Sequence, residues 1–163
     1  MITPLQPAAR RCSRVLLASL CSIALASCSI TEPGRAGESV DLARNRERWA
    51  SAALHDYEFD YQLSCFCPAE AVEPVHIVVR GDQVVRVTST RDGLPALRQF
   101  GAWPTVPDLF ESVRTLLERD VERLEVTYDP IYGYPTSILV DVHLMVADDG
   151  SSQSAANLRP LPR

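Results

Sequence analysis

The stretch Tyr57-Glu58-Phe59-Asp60-Tyr61-Gln62-Leu63-Ser64 alternates without a break. Tyr57, Phe59, Tyr61 and Leu63 fall on one side; Glu58, Asp60, Gln62 and Ser64 fall on the other. A period of two marks a strand with one face buried and one face in water. That reading decides the fold class, because half-buried strands build antiparallel sheets whose helices cover the apolar face. Val75 to Ser89, VHIVVRGDQVVRVTS, extends the pattern as two β-branched strands around Gly81-Asp82, where glycine supplies the positive φ of a tight turn. Leu124–Tyr128 (LEVTY) and Ser137–Leu144 (SILVDVHL) read as two more strands.

Helical spacing flanks these strands. From Asp41, a capping residue, Leu42, Trp49, Ala50, Ala53 and Leu54 form one stripe, with Arg44, Glu47 and Arg48 opposite. Thr105 and Asp108 stand at capping-box spacing, with Pro107 in the first turn where its missing N–H does no harm. Val106, Leu109, Phe110, Val113, Leu116 and Leu117 then repeat helically to about Asp120. Residues 91–104 read as an irregular loop. The order α-β-β-β-α-β-β predicts an α+β fold in two layers, about five antiparallel strands packed with two helices. Both halves run helix then strand, a faint internal repeat.

The N-terminus reads as an address rather than as fold. Arg10, Arg11 and Arg14 precede an apolar run from Val15 to Ala26. The run is shorter than the roughly 20 residues a membrane span needs and has the layout of an export signal. It ends Leu25-Ala26-Ser27-Cys28, which resembles the lipobox of bacterial lipoproteins. That resemblance implies cleavage before Cys28 and a lipid on its thiol, giving a signal over residues 1–27. Ala24-Leu25-Ala26 offers a competing site for ordinary secretory cleavage before Ser27, which would leave the protein secreted or periplasmic and soluble. Residues 28–40 then form anchor and flexible Gly/Pro/Ser/Glu-rich tether, 41–149 a single domain, and 150–163 a polar tail expected to be disordered. Ser29, not Asp, follows the cysteine. By similarity to Gram-negative lipoproteins this favours the outer membrane, if the organism has one.

Composition excludes some partners. The net charge is −5, and the signal removes three arginines and no acid, so the mature chain is more acidic still. A domain with that balance and no basic stripe argues against nucleic acid and against electrostatic docking to anionic lipid. The five cysteines also thin out. Cys12 and Cys21 leave with the signal and Cys28 takes the lipid, so Cys65 and Cys67 remain in a compartment that permits disulfides.

That pair sits in Ser64-Cys65-Phe66-Cys67-Pro68 and continues the parity of Phe59, Tyr61 and Leu63 onto the apolar face. Regular strand geometry separates residues i and i+2 by about 6.6 Å, the upper edge for a disulfide, so a bridge needs a bend. Closing so small a loop returns only about 1.6 kcal/mol of chain entropy. A structural clasp or buried thiol pair, a redox pair and a soft-metal pair such as Cu(I) all remain open. His76, His143 and Met145 are the other soft or imidazole donors in the β region, and none stands at motif spacing. His55 ends the first helix, where a cation helps the macrodipole. Asp148, Asp149 and Gly150 are too few for a calcium loop. There is no G-x-S-x-G and no phosphate-cradling glycine loop. A last candidate is Tyr128-Asp129-Pro130-Ile131-Tyr132-Gly133-Tyr134-Pro135, either an exposed aromatic loop that grips a partner or a structured strand connection.

The combination of SCFCP after a Tyr-rich strand with YDPxYGYP further on resembles a bacterial family of exported lipoproteins and secreted domains of unknown function. The similarity runs from Trp49 to Asp149. It implies location and fold and no activity. It also implies a short hydrophobic-aromatic stretch after Ala147-Asp148-Asp149, where this chain instead has GSSQSAANLRPLPR. The expectation is a noncatalytic envelope lipoprotein without a cofactor, held to the membrane through Cys28 and binding an envelope protein or ligand. The alternative is a thiol-redox or copper-handling protein that uses Cys65 and Cys67.

Overall fold

The computed structural model describes residues 33–96, 102–119, 121–142 and 149–162. The elements run α1 (Pro33–Ala52), β1 (Tyr57–Cys65), α2 (Ala69–Val72), β2 (Val75–Arg80), β3 (Gln83–Ser89), α3 (Val106–Glu118), β4 (Arg123–Tyr128), β5 (Pro135–Asp141) and β6 (Ser151–Pro160). The strands form one six-stranded sheet in the order β3-β2-β1-β6-β5-β4, with every described pairing antiparallel. Each half of the chain is a three-strand meander, and β1 and β6 join the halves at the middle.

Two expectations are corrected here. The tail from Gly150 is not a disordered extension: Ser151–Pro160 is β6, between β1 and β5. The sheet therefore has six strands, not five. Its pattern was hidden because Ala155 is the one buried residue of β6 and lies opposite Tyr61, whose ring supplies the bulk that β6 lacks. Second, α1 begins at Pro33, so most of the expected tether at 28–40 is helix and Asp41 lies inside it. Proline is tolerated in a first turn, and the helix is held by packing rather than propensity. The buried positions are Leu42, Asn45 and Trp49. Ala50 is exposed, and Ala53, with φ of 47°, ends the helical run before Leu54.

The remaining elements follow their local chemistry. In α3 the Thr105 hydroxyl accepts from the Asp108 N–H at 3.4 Å, and the Thr105 N–H donates to the Asp108 carboxylate at 2.8 Å. Val106, Leu109, Phe110 and Val113 are buried, and the helix stops at Glu118. The β2–β3 turn has positive φ at both Gly81 (53°) and Asp82 (63°), as a two-residue turn of type I′ requires. Leu144, the expected end of β5, lies outside the described residues.

Tyr57, Phe59 and Tyr61 of β1, Val75, Ile77 and Val79 of β2, and Ile138 of β5 form the core with α1 and α3. Trp49 meets Tyr57 edge-on at 5.2 Å, and Phe110 stacks on Tyr128 at 6.5 Å. The Tyr57 hydroxyl accepts from the Val106 N–H at 3.0 Å. One β1 side chain thereby satisfies an otherwise orphan donor at the start of α3.

The direction of α1 matters below. Glu38 sits at Val126 and Glu125 of β4, whereas Asn45 and Arg48 sit against Gly133, beyond the far end of β4. The helix therefore runs with β4 and against β1, and its N-terminus lies at the Cys65 end of the sheet.

Candidate functional site

Cys65 and Cys67 are joined by a disulfide with their Cα atoms 5.2 Å apart. The bend that the spacing demanded is present: β1 stops at Cys65, and the Cys67 N–H donates back to the Cys65 carbonyl at 2.8 Å. Cys65 keeps its parity and is half-buried, but Cys67 is turned out of the sheet and is exposed, so the pair does not sit together on the apolar face. Phe66, held between them, is 86% exposed. Pro68 follows, and the chain turns through α2.

Beside the clasp is an open groove of about 480 Å³, lined among others by Phe66, Arg123, Leu139, Asp141 and Ser152. It lies at the end of the sheet where β1 and β5 finish and β4 and β6 begin.

The Tyr128–Pro135 segment is a tightly built strand connection. The Asp129 carboxylate accepts from the N–H groups of Ile131 (2.9 Å) and Tyr132 (2.6 Å), and the Asp129 N–H donates to the Tyr134 carbonyl at 2.9 Å. Gly133 has φ of +79°, and a Cβ there would stand 2.6 Å from the Asn45 carbonyl oxygen. Glycine therefore serves two needs at once, a left-handed backbone and contact with α1. Tyr134 and Pro135 are buried and Tyr128 and Tyr132 half-buried, so the tyrosine rings are taken up by the core; Ile131 is the large side chain left outside.

The Tyr128 hydroxyl is buried with no hydrogen-bond partner, as is one carboxylate oxygen of Glu38. Burial pushes the Tyr128 phenol up, and the charges of Glu38 and Asp41 add to the shift. Burial, then Asp41, raises the Glu38 carboxyl as well, against a backbone hydrogen bond at Val126.

A second cluster on the sheet's polar face was not expected. Asp60 of β1 bonds the His76 Nδ1 at 2.8 Å and accepts from the Asn157 amide at 2.7 Å. Glu58 lies 3.4 Å from the His76 Nε2 and 2.9 Å from Arg159. Burial works against ionising Asp60, but the Asn157 and His76 hydrogen bonds, with the charges of His76 and Arg159, hold its carboxyl below the usual range. The cluster spans β2, β1 and β6, and its Asn157 and Arg159 come from the strand whose sequence carries no strand pattern. Asn157 reaches Asp60 because β6 carries a bulge there, with φ of 54° at Asn157.

His55 is not at a helix terminus. It lies beyond the end of α1 and pairs with Asp82 of the β2–β3 turn at 2.7 Å. Among the described residues, no group of three or more His, Cys, Asp or Glu is arranged to hold a metal ion. Nor is any helix among them long and apolar enough to cross a membrane. Cys28, His143, Met145 and Asp148 lie outside the described residues.

A model of the family of unknown function DUF6174 matches residues 41–160. The chain belongs to that family. No curated protein and no solved structure matches it. The DUF6174 match reaches Pro160, so the closing strand β6 is part of the family domain, whereas the first two turns of α1 precede it. The clasp, the groove and the polar-face cluster all lie inside the matched span.

Proposed function

We propose that this DUF6174 domain is a noncatalytic binding module of the bacterial cell envelope, exported and tethered by a lipid on Cys28. The observation that carries this reading is the Cys65–Cys67 bridge with Phe66 exposed between its two cysteines. A disulfide is the state expected of a pair of thiols in an oxidising, exported compartment. A bridge at a strand end with an outward aromatic suits presentation of a contact residue better than stabilisation, since its three-residue loop contributes only about 1.6 kcal/mol. Rigid aromatic side chains are favoured contact residues because they bury much area for little lost entropy. The export signal and the lipobox-like Leu25-Ala26-Ser27-Cys28 supply the location.

Metabolic labelling with radioactive palmitate tests the anchor. The native chain is expected to take up label and sediment with membranes, and Cys28→Ala to lose both. Unchanged membrane fractionation of Cys28→Ala would refute the tether. The exposure of Cys67 favours one alternative, a thiol-redox or copper-handling role for the pair. Counting free thiols by mass after mild reduction separates the two readings. A bridge that stays closed under dithiothreitol ends the alternative; ready reduction followed by copper uptake would replace the binding-module reading.

A further inference from the structure

Of the six exposed large apolar side chains among the described residues, Phe66, Leu94 and Val142 lie at the end of the molecule where the folded chain starts. Val40 lies partway along α1, and Val85 and Ile131 lie toward the other end. Phe66 is 86% exposed at the end of β1. Val142, 37% exposed, follows the last residue of β5, whose Asp141 pairs with Arg123 at the start of β4. Leu94, 63% exposed, is tied through its carbonyl to the N–H of Ser89, which lies across β2 from Tyr61. The N-terminus of α1 points to the same end, because the helix runs with β4 and against β1. Ile131, 71% exposed, marks the opposite end, in the β4–β5 turn.

Chain length then limits where a lipid on Cys28 can be. Five residue steps separate Cys28 from Pro33. At no more than about 3.6 Å per residue the anchor lies within roughly 18 Å of the start of α1.

We propose that the Phe66 end of the sheet rests against the lipid surface that holds Cys28, with Phe66 entering the headgroup region. This inference rests on the lipid-tether reading above. The short tether makes the second contact intramolecular, so a side chain of modest intrinsic affinity suffices once the chain is anchored. The disulfide fixes the backbone on both sides of Phe66, so little freedom remains to be lost on contact. Arg123 and Asp141 line the groove beside it, so this end carries both signs of charge and the contact depends on apolar burial, not on anionic lipid.

The experiment uses the full, processed chain reconstituted into vesicles of phosphatidylethanolamine and phosphatidylglycerol with brominated acyl chains. Flotation comes first. A chain that floats only when Cys28 is intact establishes the tether; one that fails to float, or floats equally as Cys28→Ala, overturns both readings. Phe66→Trp and Ile131→Trp are then compared, both at exposed sites that tolerate the change. The indole introduced by Phe66→Trp is expected to emit at shorter wavelength on vesicles and to be quenched by the brominated chains. The indole of Ile131→Trp is expected to show neither effect. Equal emission from the two variants overturns the membrane contact while leaving the tether intact. Protection of the Phe66→Trp indole from aqueous iodide without quenching by brominated lipid also overturns it, and assigns Phe66 to a protein contact.

Discussion

Tyr57 and Tyr128 are both tyrosines of the core, and their hydroxyls have opposite fates. That of Tyr57 satisfies the first N–H of α3, and that of Tyr128 satisfies nothing. Tyr57→Phe leaves a buried donor unpaired and should cost about 1–3 kcal/mol in urea unfolding. Tyr128→Phe removes an unpaired polar atom and should be neutral or stabilising by up to about 1 kcal/mol. The Tyr57 phenol is pushed by burial up to about 12, with the backbone hydrogen bond at Val106 opposing. A raised folded value means stability present below the unfolded value of about 10 and lost as pH rises from there toward 12. Tyr57→Phe should flatten that alkaline loss. Gly133→Ala faces both a left-handed backbone and the Asn45 carbonyl at 2.6 Å. It should cost about 3 kcal/mol, read from the same urea midpoints.

At the scale of elements, Asp60 ties β1 to β2 through His76 and to β6 through Asn157. Its folded value is depressed, so its contribution is present above the unfolded value near pH 4 and is lost as pH falls through the folded one. Acid unfolding monitored by circular dichroism should therefore show a smaller loss below pH 4 for Asp60→Asn than for the native chain, with a lower starting stability at neutral pH. Elements were legible in the sequence where local chemistry and packing agreed. The capping box and apolar repeat of α3, the alternation of β1 and the Gly81-Asp82 turn each suffice alone. The start of α1 was not legible, because Gly37 and Pro33 argue against a helix that packing on β4 sustains. Cysteine arithmetic leaves Cys65 and Cys67 with only each other as partners but does not decide between a bridge, a redox pair and a metal pair. The outward turn of Phe66 depends on where β1 ends. Of the polar-face cluster, Glu58, Asp60 and His76 lie on β1 and β2, but Asn157 and Arg159 could not be seen without β6.

For the whole molecule, the sheet closes only when its last strand is added between β1 and β5. A strand of serine, alanine and asparagine can occupy that place because the core bulk comes from its neighbours, with Tyr61 opposite Ala155 and Ile138 opposite Gln153. Truncation after Gly150 should separate the two meanders and abolish cooperative unfolding, measured by thermal melts. A truncated chain that melts like the native one would mean that β6 is an accessory.

The N-terminus of α1 and the clasp lie at one end of this sheet, and the functional reading depends on what the cell does to Cys28. The most direct measurement is the mass of the N-terminal peptide of the mature protein taken from membranes. The account predicts a chain that begins at Cys28 and carries a diacylglycerol on its thiol. A chain that begins at Ser27 with an unmodified Cys28, or one that retains residues 1–27, would contradict it.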